Sequence, residues 1–563
     1  MLNWKISEKI EDNLESKYPG KSRVILQLLV NRGLSDAQEI DDFLHPKYEN
    51  LHDPFKFRDM QKLVDRVKQS RDKSEKVFVY GDYDADGVCS SIILVETLHA
   101  IGIKNVDIYI PHREKEGYGL NKDSIKYISE QGAKLLITVD CGTSNVAEVK
   151  FAKDNNIDVI ILDHHEEPSE LPINVSAFLN PHLKGETYPF KNLAAVGVVF
   201  KVVQALTKSF DLGEAHSKWM LDLVAIATVA DMMDLRDENR ILVKYGLVVL
   251  NKTQRLGLQS LISLMGKSGA ELGVYEIGYM IAPRLNAAGR IDHANSAYEL
   301  LATKDSSLIN ELSASLSQTN TTRQSETARI LKEALEQVQS QLKENKVLVA
   351  VGDNWSSGIV GLVSGRITEK YNRPSVVIAK TEKGLIGSGR SIPKFNITQA
   401  LKKSSEFLLR FGGHEGACGF TLKSKDVLND FSISLNKIAQ EQLSDDDLVK
   451  TLSIDMELTF DKIDLNLAQN IEELAPFGMG NRAPKFVSFG VRVENISFVG
   501  EQKHIKLRLG QKGISLGAIA FGFSEEWRDK LNEGDLIDIV YEVSINEWNN
   551  RKNIDLKIND IKK

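Results

Sequence analysis

The chain has 563 residues, which at roughly 150 residues per domain predicts three to four domains rather than a single core. Its 42% hydrophobic and 26% charged residues are those of an ordinary globular protein and exclude long disorder, collagen-like repeats and an end-to-end coiled coil. With 71 basic against 78 acidic side chains the net charge is −7, so any nucleic-acid site must be a local basic groove, not a whole-molecule field.

In chain order, residues 1–10 alternate charged and apolar side chains without an apolar core, so no secretory signal is expected. Lys76–Tyr80, Val106–Ile110, Leu135–Val139 and Val159–Leu162 are near-continuous apolar runs, the pattern of parallel strands buried on both faces. Helix-length segments separate them, the first ending near Gly102 and the second opening at Asn121, a good N-cap, so a doubly wound α/β sheet is predicted. Helical patterns run from Ala194 to Met233, where the longest apolar run, Leu193–Leu206, is broken by Lys201 and is too short to span a membrane. Ser306–Glu344 holds no Gly or Pro and reads as one long connecting helix or a broken pair. A second α/β unit follows, with a strand at Lys346–Ala350, a helix at Ile359–Tyr371, a strand at Ser375–Ala379 and a Gly-rich segment at Gly384–Arg390. From Thr451 onward, short alternating strands around one short helix predict a small barrel of the oligonucleotide-binding (OB) type. Three cysteines, Cys89, Cys141 and Cys418, without a CxxC, fit a reducing compartment, and a cytoplasmic protein is expected.

The strongest chemical signal is Gly81-Asp82-Tyr83-Asp84-Ala85-Asp86-Gly87, directly after a strand. Carboxylates at alternate positions suit a hard divalent cation. A calcium EF-hand is rejected, because its twelfth position would need a Glu where Ile93 stands, and a strand rather than a helix precedes it. A solvated acidic turn is the competing explanation for such a motif taken alone. Two further strands end in Asp140 and in Asp163-His164-His165, and ligands of an open α/β sheet bind beyond the carboxyl ends of its strands. So many acidic groups aimed at one place would repel unless cations neutralise them. Asp231, ending an apolar helical run, is a candidate further ligand, and the mixed Asp and His set suits Mn²⁺ or Mg²⁺.

At these residues the sequence resembles the DHH phosphoesterase superfamily and, within it, the RecJ family of single-strand-specific 5′→3′ DNA exonucleases. GDYDADG, VDCGTSN, LDHHEEP, ATVADMMDL, APRLNAAGRI, SSGIVGLVSGRI, GSGRS and FGGHEGACGF follow one another in that family's order. The resemblance implies a DHH catalytic domain over 76–305 after an N-terminal extension, 1–75, a connecting helix over 306–344, a DHHA1 domain over 345–445 and an OB-fold nucleic-acid-binding domain over 451–563. It implies two divalent ions, Mn or Mg, held by Asp82, Asp84, Asp86, Asp140, His164 and Asp231, with Asp140 shared. Tyr80 stands where related phosphatases have a His ligand, which leaves the split between the ions open. Asp163, His165 and His414 are counted as catalytic, His165 facing the scissile phosphate and Gly412-Gly413-His414 facing the catalytic domain. Gly413, Arg113, Arg284, Arg290, Ser388 and Arg390 are the expected substrate-binding residues. Without the resemblance, Gly412-Gly413 reads as a turn and the arginines as ordinary surface residues. Within Gly387-Ser-Gly-Arg-Ser391, however, small residues would let a guanidinium and backbone amides approach a phosphate. Lys503, Lys506 and Arg508, with Trp548 to stack bases, are the barrel's candidates for contact with DNA.

The activity implied is release of 5′-mononucleotides from a single strand with a 5′ end, in DNA repair and recombination, by a monomer working with a single-strand-binding protein and a helicase. Three rivals are weaker. A phosphodiesterase for very short or cyclic oligonucleotides would lack the long helix and barrel, a pyrophosphatase would have no use for the barrel, and a non-catalytic scaffold would have lost metal ligands.

Overall fold

The computed structural model describes residues 2–11, 18, 20–113, 115–291, 293–548 and 551–563. They form two compact units, one of residues 51–233 and 242–449, the other of residues 1–50, 234–241 and 450–563.

The larger unit holds two sheets. In the first, five parallel strands lie in the order Val106–Tyr109, Val77–Gly81, Leu135–Val139, Asp158–Leu162 and Ala177–Leu179. Val77–Gly81 and Leu135–Val139 are buried at every position, which is why they read as unbroken apolar runs instead of alternating ones. The short edge strand Ala177–Leu179 carries too few residues for a pattern and escaped the sequence reading. Strand order reverses between Val77–Gly81 and Leu135–Val139, so a crevice opens beyond the carboxyl ends of these two neighbours. Among the described residues no helix is long and apolar enough to cross a membrane.

The connecting helix runs from Ser306 to Gln339, its first turn capped by the Asp305 carboxylate, which accepts from the Ser307 and Leu308 amides; such a cap stabilises a helix by about 1 kcal/mol. The second sheet has the order Leu408–His414, Ala417–Leu422, Gly384–Arg390, Ser375–Thr381 and Leu348–Asp353. Only its last pair is parallel. Two local readings are corrected here: Gly384–Arg390 is a full strand, and Gly412-Gly413 lies within Leu408–His414 instead of forming a turn. The antiparallel neighbour Ala417–Leu422 supplies the ladder partners of these glycines.

In the smaller unit, strands Phe486–Val499, His504–Gln511, Ile514–Ala520, Arg551–Lys562 and Leu536–Trp548 pair in that order, and the last pairs back to the first. The barrel is closed. Its third and fifth strands in chain order are parallel, and the rest of the ring is antiparallel, the OB arrangement. Ile25, Leu28, Leu29 and Phe43, from helices Arg23–Asn31 and Ala37–Leu44, join Phe486, Leu509, Ile539 and Tyr541 in one apolar core. Strand Asn3–Ile6 pairs with Thr451–Ile454. The buried Arg240 donates to the carbonyls of Phe43 at 2.7 Å and Ala475 at 2.8 Å. The N-terminal segment 1–75, expected as one extension, is therefore divided: residues 1–50 cluster with the barrel, while 51–75, including helix Met60–Asp72, belong to the larger unit.

Candidate metal centre

Each expected metal ligand sits where an element ends. Asp82 follows strand Val77–Gly81, and Asp84 caps helix Ala85–Ala100, accepting from the Asp86 amide at 2.9 Å and the Gly87 amide at 3.2 Å. Only glycine fits at position 87, because a Cβ there would lie 2.4 Å from the Asp82 carbonyl oxygen. The first helical turn thus folds directly onto Asp82. Asp86 accepts from the amides of Ala195 and Val196, each at 2.8 Å, so helix Ala195–Ser209 aims its positive N-terminal end at this carboxylate. Asp140 ends strand Leu135–Val139 with φ of 62°, a conformation that Asp tolerates better than most residues. His164 and His165 follow strand Asp158–Leu162, and Asp231 closes helix Leu221–Ala230.

These ends converge. Ligand atoms of Asp82, Asp84 and Asp140 lie within 4.8 Å of one another, as do those of Asp86, His164 and Asp231, and those of Asp140, His164 and His165. The His164 Nε2 is 3.3 Å from Asp140 and 3.7 Å from Asp231. One Asp82 oxygen is buried without a hydrogen-bond partner. Burial, with the charge of Asp84, holds Asp82 well above the usual carboxylate range, and burial, with Asp86, Asp84 and Asp82, does the same to Asp140. Burial and the adjacent His165 charge lower His164 to about 4, leaving a neutral imidazole with a lone pair to offer. An unpartnered buried oxygen, mutually repelling carboxylates and a neutral imidazole are a donor set that divalent cations fit.

Burial and the charge of Asp84 also raise Asp86 to about 7, and burial with Asp86 and Asp84 raises Asp231 to about 8. A carboxyl whose folded pKa exceeds its unfolded value of about 4 stabilises the fold while protonated, and that contribution is lost as pH rises through the folded value. In chelator, the melting temperature is therefore expected to fall between about pH 5 and pH 8, and Mn²⁺ should flatten the fall by neutralising the ionised carboxylates. Calorimetry with and without the cation checks this, and a slope unchanged by Mn²⁺ would contradict it.

Asp163 has a different part from the catalytic one expected of it. Fully buried, it accepts from the amides of His164 at 2.8 Å and Thr143 at 3.0 Å and from the His165 Nδ1 at 2.7 Å. Its two oxygens are engaged in holding the loop. Although burial opposes ionisation, the His165 hydrogen bond and charge keep its pKa below the usual range. In turn, and against its own burial, the Asp163 bond raises His165 to about 9, so that this imidazole is a cation near neutrality. The His414 ring lies nearly parallel to it, with centroids 6.2 Å apart.

Beside this centre is a cavity of about 440 Å³ lined by Arg113, Arg290, Ser388, Arg390, Arg410 and Gly412, among others. Sheet register explains the grouping. Ile386, Thr421 and Arg410 form one row across three strands, Ser388, Gly419 and Gly412 the next, and Arg390, Ala417 and His414 the third. The small residues between the polar ones leave the hollow. Arg390 donates to the Ser388 hydroxyl at 3.2 Å and the Gly389 carbonyl at 2.9 Å, while Arg113 lies 4.8 Å from the Tyr83 ring centre. Burial and the nearby Arg113 lower Arg290 to about 10. Arg410 was missed by sequence reasoning, although its spacing of two and four residues from Gly412 and His414 places all three on one face of a strand. Gly413 lies between Gly412 and His414 and does not line the cavity. Arg284, expected with this group, does not line it either. It stands six residues from Arg290 on helix Ala282–Ile291, about 120° round the axis, and donates to the Met280 carbonyl at 2.8 Å.

Comparison with known proteins bears on the domains that carry these residues. Family models match in order: the DHH family N-terminal domain over residues 76–228, the DHHA1 domain over 344–441 and the RecJ OB domain over 454–560. The chain is 39% identical over 564 residues to the single-stranded-DNA-specific exonuclease RecJ of Bacillus subtilis, covering 99% of this chain and 70% of that protein. It is 30% identical over 550 residues to the Haemophilus influenzae protein of the same name, covering 94% of each. The crystal structure of Thermus thermophilus RecJ in complex with Mn²⁺ superimposes with a TM-score of 0.84 at 26% identity, over all of this chain and 79% of that one. Domain order, near-full-length identity and fold agree, and the chain belongs to the RecJ family.

Proposed function

We propose that this protein is a metal-dependent exonuclease that hydrolyses single-stranded DNA from its 5′ end and releases 5′-mononucleotides. The observation that carries this reading is a convergent set of oxygen and imidazole donors placed, in one unit, beside an arginine-lined cavity. The names of the relatives and the Mn²⁺- and Mg²⁺-bound Thermus structures support the substrate and the cofactor.

Asp82, Asp84, Asp86, Asp140, His164 and Asp231 are read as the residues that hold two divalent ions, with Asp140, present in two of the three donor groups, as the shared ligand. When bound, such ions supply a water acidic enough to attack a phosphodiester at neutral pH and neutralise charge on the reacting phosphate. The remaining steps belong to protein groups. Asp163 fixes His165 through Nδ1, which turns Nε2 toward a phosphoryl oxygen as a charged hydrogen-bond donor where negative charge builds up. Arg113, Arg290, Ser388 and Arg390 hold the terminal 5′-phosphate, and Arg410 extends the same row. An end anchored in this cavity, with the next phosphodiester at the metal ligands, would fix the size of the product.

A single-stranded substrate is supported by an exposed tyrosine pair, Tyr275 and Tyr279, whose rings stack with centroids 4.9 Å apart and present faces for unpaired bases. In the barrel, Lys506 and Arg508 alternate outward on strand His504–Gln511, and Lys503 is paired with Glu501 at 2.7 Å. The side chain of Trp548 lies outside the described residues.

The test is incubation of pure protein with 5′-phosphorylated single strands and blunt duplexes in Mn²⁺, Mg²⁺ or chelator. Mononucleotides are expected from the single strand alone, and only with a cation. Equal cutting of the duplex, or products cut internally, would overturn the proposal.

A further inference from the structure

A tyrosine at the centre takes no part in the proposed hydrolysis. Tyr118 stands between two glycines in the loop that joins strand Val106–Tyr109 to helix Lys122–Glu130. Its ring is half exposed, yet its hydroxyl reaches two parts of the site. It donates to the Asp140 carbonyl at 3.1 Å and lies 3.2 Å from Nδ1 and 3.3 Å from Nε2 of His165. With its one proton directed to that carbonyl, the oxygen presents lone pairs to the imidazole edge between the two nitrogens. The His165 ring thus neighbours both Tyr118, with centroids 5.4 Å apart, and His414.

The loop is built to hold this position. Glu116 accepts from the His112 amide at 2.6 Å, the Tyr109 hydroxyl at 2.7 Å and Asn121 at 3.2 Å, closing the loop on itself. Gly119 has φ of 81°, and a Cβ there would lie 2.8 Å from the Asn145 side chain, which also accepts from the Leu120 amide at 3.3 Å. Asp140, in turn, keeps a left-handed backbone, which persists where neighbours over-determine it. Its amide is tied to Leu162, and its carbonyl is tied to Tyr118.

We infer that Tyr118 is a positioning residue, whose hydroxyl locks the Asp140 backbone and the His165 imidazole to each other so that the shared carboxylate and the phosphate-facing donor keep one relative geometry. This rests on the exonuclease reading, because it assigns both partners their parts in that reaction. It goes beyond it in giving a task to a side chain outside the ligand set and the phosphate cavity.

The test is Tyr118→Phe, which removes one oxygen and keeps the ring, against Tyr127→Phe, a half-exposed tyrosine on helix Lys122–Glu130 whose ring packs against Phe78 and Tyr109. For a 5′-phosphorylated single strand, kcat of Tyr118→Phe should fall at least tenfold while KM stays within threefold, because the loss lies in aligning groups and not in holding the strand. Mn²⁺ binding to protein without DNA, read from the paramagnetic resonance of the free ion, should need at least threefold more cation for half saturation. Tyr127→Phe should leave both unchanged. Unchanged kcat and unchanged Mn²⁺ binding in Tyr118→Phe, or a loss of kcat matched by partial unfolding in circular dichroism, overturns the inference. Wild-type protein that fails to shorten single strands would instead strike at the exonuclease reading, and the Mn²⁺ titration still reports on Tyr118 in that case.

Discussion

Replacing Asp140 with Asn is expected to lower hydrolysis of a single strand by about three orders of magnitude or more, since it removes a carboxylate that two donor groups share. Asn is the informative choice because it preserves the side-chain shape and tolerates the positive φ of this position, whereas Ala would add backbone strain to the loss of a ligand. The fold should not suffer. Burial and the charges of Asp86, Asp84 and Asp82 all oppose ionisation of Asp140, so a neutral amide relieves repulsion in protein without metal. Three measurements check this together: rate, Mn²⁺ stoichiometry and melting temperature in chelator. Loss of rate with a melting temperature equal to or above that of wild type is the expected combination. Activity within tenfold of wild type would remove Asp140 from the shared position.

Arg390→Ala is expected to abolish the advantage of a 5′-phosphorylated end. The Arg390 Nη1 is committed to Ser388 and Gly389, which leaves Nη2 and Nε to meet a phosphate as a planar pair. A charge-assisted contact of this kind is worth about 1.5–3 kcal/mol, so cleavage of phosphorylated strands should fall roughly ten- to a hundredfold. A 5′-hydroxyl strand should change little, and the two substrates should converge. Arg390→Lys should restore only part of the difference, because an ammonium cannot reproduce the fork. Competition assays with both ends in one tube measure the ratio directly. If the ratio is kept, Arg113, Arg290 and Arg410 recognise the end without Arg390.

The contrast between these two sites shows which parts of the molecule a sequence exposes. The acidic and histidine side chains of the candidate metal centre stood out because most of them follow closely on a buried apolar run, and the ends of parallel strands are brought together by the sheet itself. The DHH triplet showed its position but not its division of labour. Only the hydrogen bonds around Asp163 reveal that it holds the two histidines and does not join them in the ligand groups. Ser388 and Arg390 could be picked out by their glycine surroundings, while the spacing of Arg410 gives only its face of the strand, and its place beside them depends on the register of a strand two removed from theirs in the sheet. Arg284 and Arg290 looked alike in sequence and diverge by their angle around one helix.

By itself, the sequence determined what depends on short range and on burial: the four main parallel strands, the capped helices, the carboxylates at the strand ends and the closing barrel. These follow from apolar periodicity and from turn and cap chemistry, which act over a few neighbouring residues. Tertiary structure alone decided the residues whose partners are distant in the chain. Residues 1–50 share a core with the barrel, and 234–241 cluster with it, because Ile25, Phe43 and Arg240 find their partners hundreds of residues away. The Tyr118 hydroxyl meets Asp140 and His165 only when three strand ends converge. Such contacts leave no local periodicity to read, because they are set by the register and crossing of whole elements and not by the spacing of residues within one.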